Sequence, residues 1–135
     1  MTDLYREWQP LAHESGHYEF ISLQQADGLL HVTLRREGRE GARLSIQFES
    51  VVGFRCINES YRLQTLGGLE MRNRSGLMTV NDSTWMKWIR EEAGGVLDEV
   101  VLQHYAIFTD LDCIDVVTEF APEVREEPED PRPGI

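Results

Sequence analysis

The chain has 135 residues, of which 41% are hydrophobic and 27% are charged, and its formal net charge is −11. This length allows a domain with its own core, and the hydrophobic fraction excludes global disorder. The negative charge excludes a protein that binds nucleic acid or acidic membranes through a basic surface. The chain begins without a basic, apolar signal sequence and contains no apolar run of ~18 residues, so we expect a cytoplasmic location.

The first half of the chain is predicted to consist mostly of strands. The spacing of Leu4, Trp8 and Leu11 is typical of a short amphipathic helix or turn, which Pro10 limits. From Tyr18 onward the period changes to the two-residue alternation of half-buried strands. The predicted strands are residues 18–24, 30–34, 44–48, 51–57, 61–66 and 69–72, with residues 78–80 as a further candidate.

One helix is predicted near residues 83–93. Asp82 or Ser83 is a suitable N-cap, because either side chain accepts a backbone N–H, and the Gly-Gly pair that follows the helix ends it. We expect Trp85 and Trp88 to cover the sheet. Two strands, joined by an Asp-rich turn, are predicted after the helix at residues 100–108 and 113–120.

These elements predict an α+β fold. Short connections between strands favour antiparallel pairing, because parallel pairs need long crossovers. We therefore expect a curved antiparallel sheet or half-barrel of roughly five to seven strands with one principal helix packed on it. Residues 1–122 form one globular domain in this prediction, and residues 123–135, rich in Pro, Glu and Asp, form an acidic mobile tail.

The negative charge is segregated along the chain. Residues 91–135 contain thirteen Asp and Glu against two Arg, whereas the first 90 residues contain eleven acidic and eleven basic side chains. Such segregation favours a cationic partner, and solubility is the alternative explanation. We expect a basic protein to contact acidic residues of the helix end, the turns and an exposed strand face, namely Glu91, Glu92, Asp98, Glu99, Asp110, Asp112 and Asp115.

The segment from His13 to His17 matches the zinc-peptidase motif HExxH. In those enzymes a helix places both histidines on one face as ligands, beside a glutamate that activates the metal-bound water. Gly16 weakens the required helix, and strand periodicity begins directly after His17. We therefore predict a loop that binds no zinc.

The aspartates and cysteines of the strands are predicted to have structural roles. Asp110, Asp112 and Asp115 offer oxygen ligands to Mg²⁺ or Ca²⁺, but turn carboxylates more often bond their own backbone, and Asp115 is expected on the solvent face of its strand. Cys56 and Cys113 lie in apolar strands, where small buried thiols are the expected state and one disulfide is the alternative. Carboxylates beside Cys113 raise the pKa of its thiol, so an inert thiol is predicted instead of a nucleophile. We predict no catalytic residue, no metal and no cofactor.

Three segments resemble a known group of proteins: residues 51–59, the helix with its paired tryptophans and Gly-Gly end, and residues 104–109 with 112–117 and Pro122. They are similar to small bacterial proteins, some of which are immunity proteins of interbacterial toxin systems. Such proteins bind and block a cognate toxin, commonly a cationic nuclease, through acidic surfaces. The resemblance spans about half of the chain, implies no catalytic residue and does not by itself establish function.

Charge and resemblance together predict a non-enzymatic module that binds a basic protein, such as a toxin nuclease domain. The alternative is a small ligand-binding or hydrolytic domain with a pocket on the face of the sheet. A flat acidic surface favours the first function. A well-formed apolar pocket with His13, His17 or His104 in its wall favours the second, although His104 is expected to be a satisfied or exposed imidazole.

Overall fold

The computed structural model describes residues 3–10, 17–36, 42–69 and 76–128. Three helical segments lie in these ranges: a 3-10 helix, Glu59–Tyr61, and the α-helices α1, Leu63–Gly68, and α2, Thr84–Glu92. The strands are β1, Leu4–Glu7; β2, Tyr18–Ala26; β3, Leu29–Arg36; β4, Ala42–Glu49; β5, Val51–Asn58; β6, Leu77–Asn81; β7, Gln103–Phe108; β8, Asp112–Thr118; and β9, Glu123–Pro128.

The strands form two antiparallel sheets. One has the order β1-β6-β7-β8-β5 and the other the order β2-β3-β4-β9. The predicted α+β class is confirmed, with α2 as the principal helix. The described residues contain more strands than the roughly five to seven expected, and they form two open sheets instead of one curved sheet.

The main core lies between the two sheets. Alternate residues of β3 and β4 are fully or almost fully buried, and Val32 lies directly opposite Ile46. They pack in one cluster with residues of the other sheet, including Ile107, Ile114 and Val116. The two-residue period predicted from the sequence therefore marks the inner face of the four-stranded sheet.

The other face of the five-stranded sheet is covered by helices. Its cluster includes Met78, Ala106 and Cys113, with Leu66 of α1 packed against it. On β5, α2 packs over Gly53, where a Cβ would be in ordinary van der Waals contact with Ile89 Cδ1 at 3.7 Å. The central strand β8 is consequently buried on both faces, from Cys113 to Thr118.

Helix α2 begins where the sequence predicts. The Ser83 hydroxyl accepts the backbone N–H of Met86 at 3.0 Å, and Gly94, at φ 61°, follows the last turn. Trp85 packs on the sheet as expected, but Trp88 is 56% exposed. The prediction for Trp88 is wrong because the half-buried side of α2 centres on Met86, Ile89 and Ala93, and Trp88 lies about 130° around the helix from that centre.

Two predicted elements have a different structure. Leu4 and its neighbours form a strand that pairs with β6, with Leu4 52% exposed, instead of an amphipathic helix. Residues 61–66, predicted as a strand, lie in the 3-10 helix and α1, where Leu66 packs on the sheet. In both places tertiary contacts outweigh a weak local pattern. Residues 70–72 of the next predicted strand lie outside the described residues.

The predicted mobile tail includes residues that form a strand in the structure. Residues 123–128 form β9, which pairs with β4 and places Val124 opposite Ile46 at the edge of the core. The backbone of β4 offers hydrogen bonds at this edge, and Val124 adds apolar contact, so these residues are ordered despite their charge. Residues 129–135 lie outside the described residues. No described helix is long and apolar enough to cross a membrane.

Candidate functional site

The structure separates the predicted contact residues into three places. Glu91 and Glu92 end α2, and Asp98 and Glu99 lie in the turns that follow. Those turns precede the first residue of β7, whereas Asp110 and Asp112 follow its last residue, about 20 Å away along the strand. Asp115 is buried in β8, with 1% of its surface exposed. One continuous surface of all seven residues is therefore not formed.

The helix-end surface comprises Trp88, Glu91, Glu92, Val96, Asp98, Glu99 and Val101, and all seven side chains are exposed. The Arg90 guanidinium donates hydrogen bonds to the carbonyls of Leu97 and Val100, which holds this segment against α2. Within the described part of the chain, none of its four carboxylates is in an ion pair. Val96 and Val101 are 80% and 75% exposed, so apolar surface accompanies the negative charge.

The acidic turn between β7 and β8 is tied into the fold. Thr109 Oγ1 accepts the backbone N–H of Asp112 at 2.9 Å and closes the turn. Asp110 Oδ1 accepts the backbone N–H of Phe20 at 3.0 Å, and the Asp110 N–H donates to the Tyr18 carbonyl at 2.9 Å. Asp110 thus joins the two sheets, so its carboxylate is less available to a partner than those of the helix-end surface.

The structure contradicts the prediction that Asp115 faces solvent and contacts a partner. Its Oδ1 accepts a hydrogen bond from His104 Nε2 at 2.7 Å, and its Oδ2 accepts bonds from Arg55 Nε at 2.9 Å and Arg62 Nη1 at 2.8 Å. β8 is a central strand, and helices cover the face on which Asp115 lies, so alternation does not carry this side chain to solvent.

The electrostatics of this network keep Asp115 ionised. Burial by itself raises the pKa of Asp115, but the hydrogen bond from His104 and the positive charges of Arg55 and Arg62 outweigh it and lower the pKa from 3.8 to about 2. Arg55 also lies over the Trp85 ring, with 4.5 Å between the guanidinium carbon and the ring centroid. The buried carboxylate therefore fixes the loop before α1 through Arg62, and Arg55 joins it to α2.

Ser83, His104 and Asp115 form a hydroxyl–imidazole–carboxylate chain. His104 Nδ1 lies 2.7 Å from Ser83 Oγ. A carboxylate only accepts, so Nε2–H donates to Asp115, and Nδ1 shares the second hydrogen bond with the Ser83 hydroxyl. Nucleophilic hydrolases use the same three groups. Here the Ser83 oxygen already caps α2, Ser83 is 3% exposed, and Asp115 is neutralised by two arginines, which together indicate a structural role.

Sequence reasoning missed this network because its members are 11 to 60 residues apart. One local signal was present. Asp115 lies within the apolar run Cys113 to Val117, and a charged residue in such a run needs a buried cationic or hydrogen-bonding partner if the strand is central. The expectation of a satisfied imidazole at His104 is confirmed, since both of its nitrogens are bonded.

The surface beside Ser83 is a shallow concavity of about 290 Å³. Its wall includes Lys87, Arg90 and Gln103, while His104 is buried behind it. His17 is exposed, and His13 lies outside the described residues. The concavities at residues 60–65, at residues 3–6 with 68–69, and beside Ser83 have no histidine in their walls. Among the described residues no cluster of metal-ligating side chains occurs.

The two cysteines have different environments and are both free. Cys113 is buried, and burial, with a further contribution from Asp115, raises its pKa to about 11. Cys56 is exposed, so the prediction of a buried thiol is wrong at this position. It lies in β5, which forms an edge of its sheet, and edge position explains the exposure.

Comparison of the chain with protein-family models, with curated proteins and with solved structures found no match.

Proposed function

We propose that this chain is a non-enzymatic protein-binding module that neutralises a cognate basic toxin in the cytoplasm of a bacterium, as an immunity protein. The observation that carries the proposal is the helix-end surface, whose four exposed carboxylates have no ion-pair partner among the described residues. Unpaired surface charge of one sign accelerates the encounter with a partner of opposite charge. Exposed apolar side chains beside it supply contact area for affinity.

The structure favours this surface over Asp110 and Asp115 for physical reasons. Asp115 is enclosed by cations, and Asp110 holds the β7–β8 turn on β2, so a partner would have to displace existing bonds at either position. Glu91, Glu92, Asp98 and Glu99 have no such bonds to lose. In the proposed complex, well-placed basic groups of the partner compensate for the desolvation of these carboxylates.

The test is binding to the product of the adjacent gene, with purified proteins. The double variant Glu91→Lys, Glu92→Lys should weaken binding at least tenfold, equivalent to about 1.4 kcal/mol. The matched control is Glu49→Lys, Glu119→Lys, which changes the net charge equally at two exposed positions outside the surface. Equal affinity of both variants and wild type would refute the proposal, as would failure of wild type to bind the adjacent gene product.

A hydrolytic function is the second candidate, because the Ser83–His104–Asp115 chain lies beside a concavity. The cap bond to Met86 and the burial of Ser83 oppose it. We expect a fluorophosphonate probe to leave the native protein unlabelled. Labelling that disappears in both Ser83→Ala and His104→Ala would establish the hydrolytic function instead.

A further inference from the structure

Trp88 lies on the face of α2 that points away from the sheet. Its side chain is 56% exposed, and Glu91 and Glu92 follow it by three and four residues. Residues at these separations are neighbours on a helix surface, with Cβ atoms about 5–6 Å apart. An indole ring and two carboxylates therefore share one exposed patch.

A half-buried contact in the same molecule combines an indole and a carboxylate around one arginine. Arg55 lies over the ring of Trp85 at 4.5 Å, and its Nε donates to the Asp115 carboxylate at 2.9 Å. The indole face attracts the cation through its quadrupole, and the carboxylate accepts a directed hydrogen bond from the guanidinium edge. Arg55 therefore contacts an indole face and a carboxylate at the same time.

We propose that Trp88 with Glu91 and Glu92 is a receptor for an arginine side chain of the protein partner. This inference rests on the proposed function and names the group that the helix-end surface recognises. The guanidinium stacks on the Trp88 ring, and its N–H groups donate to a glutamate at the rim. Val96 and Val101 are exposed in the segment that follows the helix and offer further apolar surface.

The cationic side chains of Lys87 and Arg90 do not occupy the proposed arginine site. Arg90 donates its guanidinium N–H groups to the carbonyls of Leu97 and Val100. Lys87 is exposed, and its position about 100° around the helix from Trp88 places it on the side of Glu91. Glu92, one turn after Trp88, is the carboxylate farther from Lys87 and is the main acceptor in this proposal.

Arginine is favoured over lysine at this site. The guanidinium is planar, stacks on an aromatic face and still presents N–H donors along its edge, whereas an ammonium is a strongly hydrated point charge. A basic partner that presents arginine should therefore bind better than one with lysine in the same place. This preference separates a defined receptor from general attraction between opposite charges.

The experiment is an NMR titration of the full ¹⁵N-labelled chain with an eight-residue peptide of alternating Gly and Arg. We expect the indole N–H of Trp88 and the amides of Glu91 and Glu92 to shift, with the Gly-Lys peptide binding about threefold more weakly. Trp88→Leu keeps an apolar side chain without the indole quadrupole and should weaken the Arg peptide about threefold. Glu92→Gln should weaken it similarly. Tyr61→Ala, at a side chain that is 81% exposed elsewhere, is the control and should have no effect.

Two results would overturn the inference. One is equal binding of the Arg and Lys peptides, and the other is binding unchanged by Trp88→Leu in a variant whose amide spectrum remains native-like. If either occurs while Glu91→Lys, Glu92→Lys still weakens binding of the adjacent gene product at least tenfold, the acidic-surface function stands without an arginine receptor. If wild type fails to bind that product, the proposed function itself fails.

Discussion

At position 115 a charged side chain lies in the middle of an apolar, central strand. Its two oxygens accept hydrogen bonds from His104, Arg55 and Arg62, so the cost of burial is offset by three charged or polar partners. Through these partners the carboxylate connects β8 to β7, β5 and the segment before α1. A single residue therefore stabilises the relative position of elements far apart in the chain.

We predict that Asp115→Asn destabilises the protein by about 3 kcal/mol, because it leaves Arg62, which is 10% exposed, without a compensating charge. Urea unfolding followed by circular dichroism measures the change. Asp98→Asn, at an exposed carboxylate, is the matched control and should change stability by less than about 0.5 kcal/mol. Equal stability of the two variants would contradict the inference that the Asp115 carboxylate compensates the charge of Arg62. Asp115→Lys should lower the stability further, because it adds a third cation beside Arg55 and Arg62.

The depressed pKa of Asp115 predicts a pH dependence of stability. The folded pKa is about 2 and the ordinary value is 3.8, so the unfolded chain binds the proton more tightly. The corresponding stabilisation, about 2 kcal/mol, is fully present above about pH 4 and is lost as the pH falls toward 2. Urea midpoints between pH 2 and pH 7 should therefore fall more steeply in wild type than in Asp115→Asn. A ¹³C titration of the carboxyl with a midpoint near 4 would contradict this.

Among the elements, β9 shows how an acidic segment becomes ordered. Four of its six residues are Glu or Arg that contribute little apolar area, yet the strand pairs with β4 over its whole length. Arg36 pairs with Glu126 at 3.3 Å across this sheet. The pairing converts β4 from an edge strand into an interior strand, so β9 protects hydrogen-bonding groups that would otherwise face solvent.

We predict that β9 contributes to stability. Deleting residues 123–135 should lower the free energy of unfolding by about 2 kcal/mol more than deleting residues 129–135, because only the first deletion removes the ladder and the Val124 contact with the core. Denaturant unfolding of the two truncated chains gives the difference directly. Identical midpoints would show that the strand adds no net stability.

Over the whole molecule, the apolar core and the negative charge have different distributions. The core lies between two sheets that draw on both halves of the sequence, whereas the −11 net charge arises from residues 91–135. Charges spread over a surface act at long range and are screened by salt, with a Debye length of about 8 Å at physiological ionic strength. Among the described residues the acidic side chains of this segment therefore lie largely outside the core, and the buried Asp115 is an exception.

This separation predicts a salt effect on association. The rate constant for binding the proposed basic partner should fall at least tenfold from low to moderate salt, because long-range attraction acts mainly on encounter. Glu91→Lys, Glu92→Lys should flatten that dependence without unfolding the chain, since both residues are exposed. Stopped-flow or surface-binding kinetics at several salt concentrations measures the slope. If the variant leaves the salt dependence of the association rate constant unchanged, Glu91 and Glu92 do not supply the long-range attraction.

Some features of this protein are determined by its sequence alone, because they depend on residues a few positions apart. The alternation in β3 and β4 identifies the buried side chains, such as Val32 and Ile46, before any pairing is known. Ser83 and the glycines after α2 mark the ends of that helix through bonds within one turn. The α+β class and the segregated charge follow from the same local and compositional information.

Other features are decided only by the tertiary structure, because they depend on contacts between distant residues. The partner of β9, the exposure of Trp88 and the burial of Asp115 all depend on which element lies beside which. A strand pattern shows alternation but not whether the second face meets solvent or a helix, so the pattern predicts the wrong environment for Asp115. Its charge is tolerated inside because β5 and the segment before α1 bring Arg55 and Arg62 to it from 60 and 53 residues away.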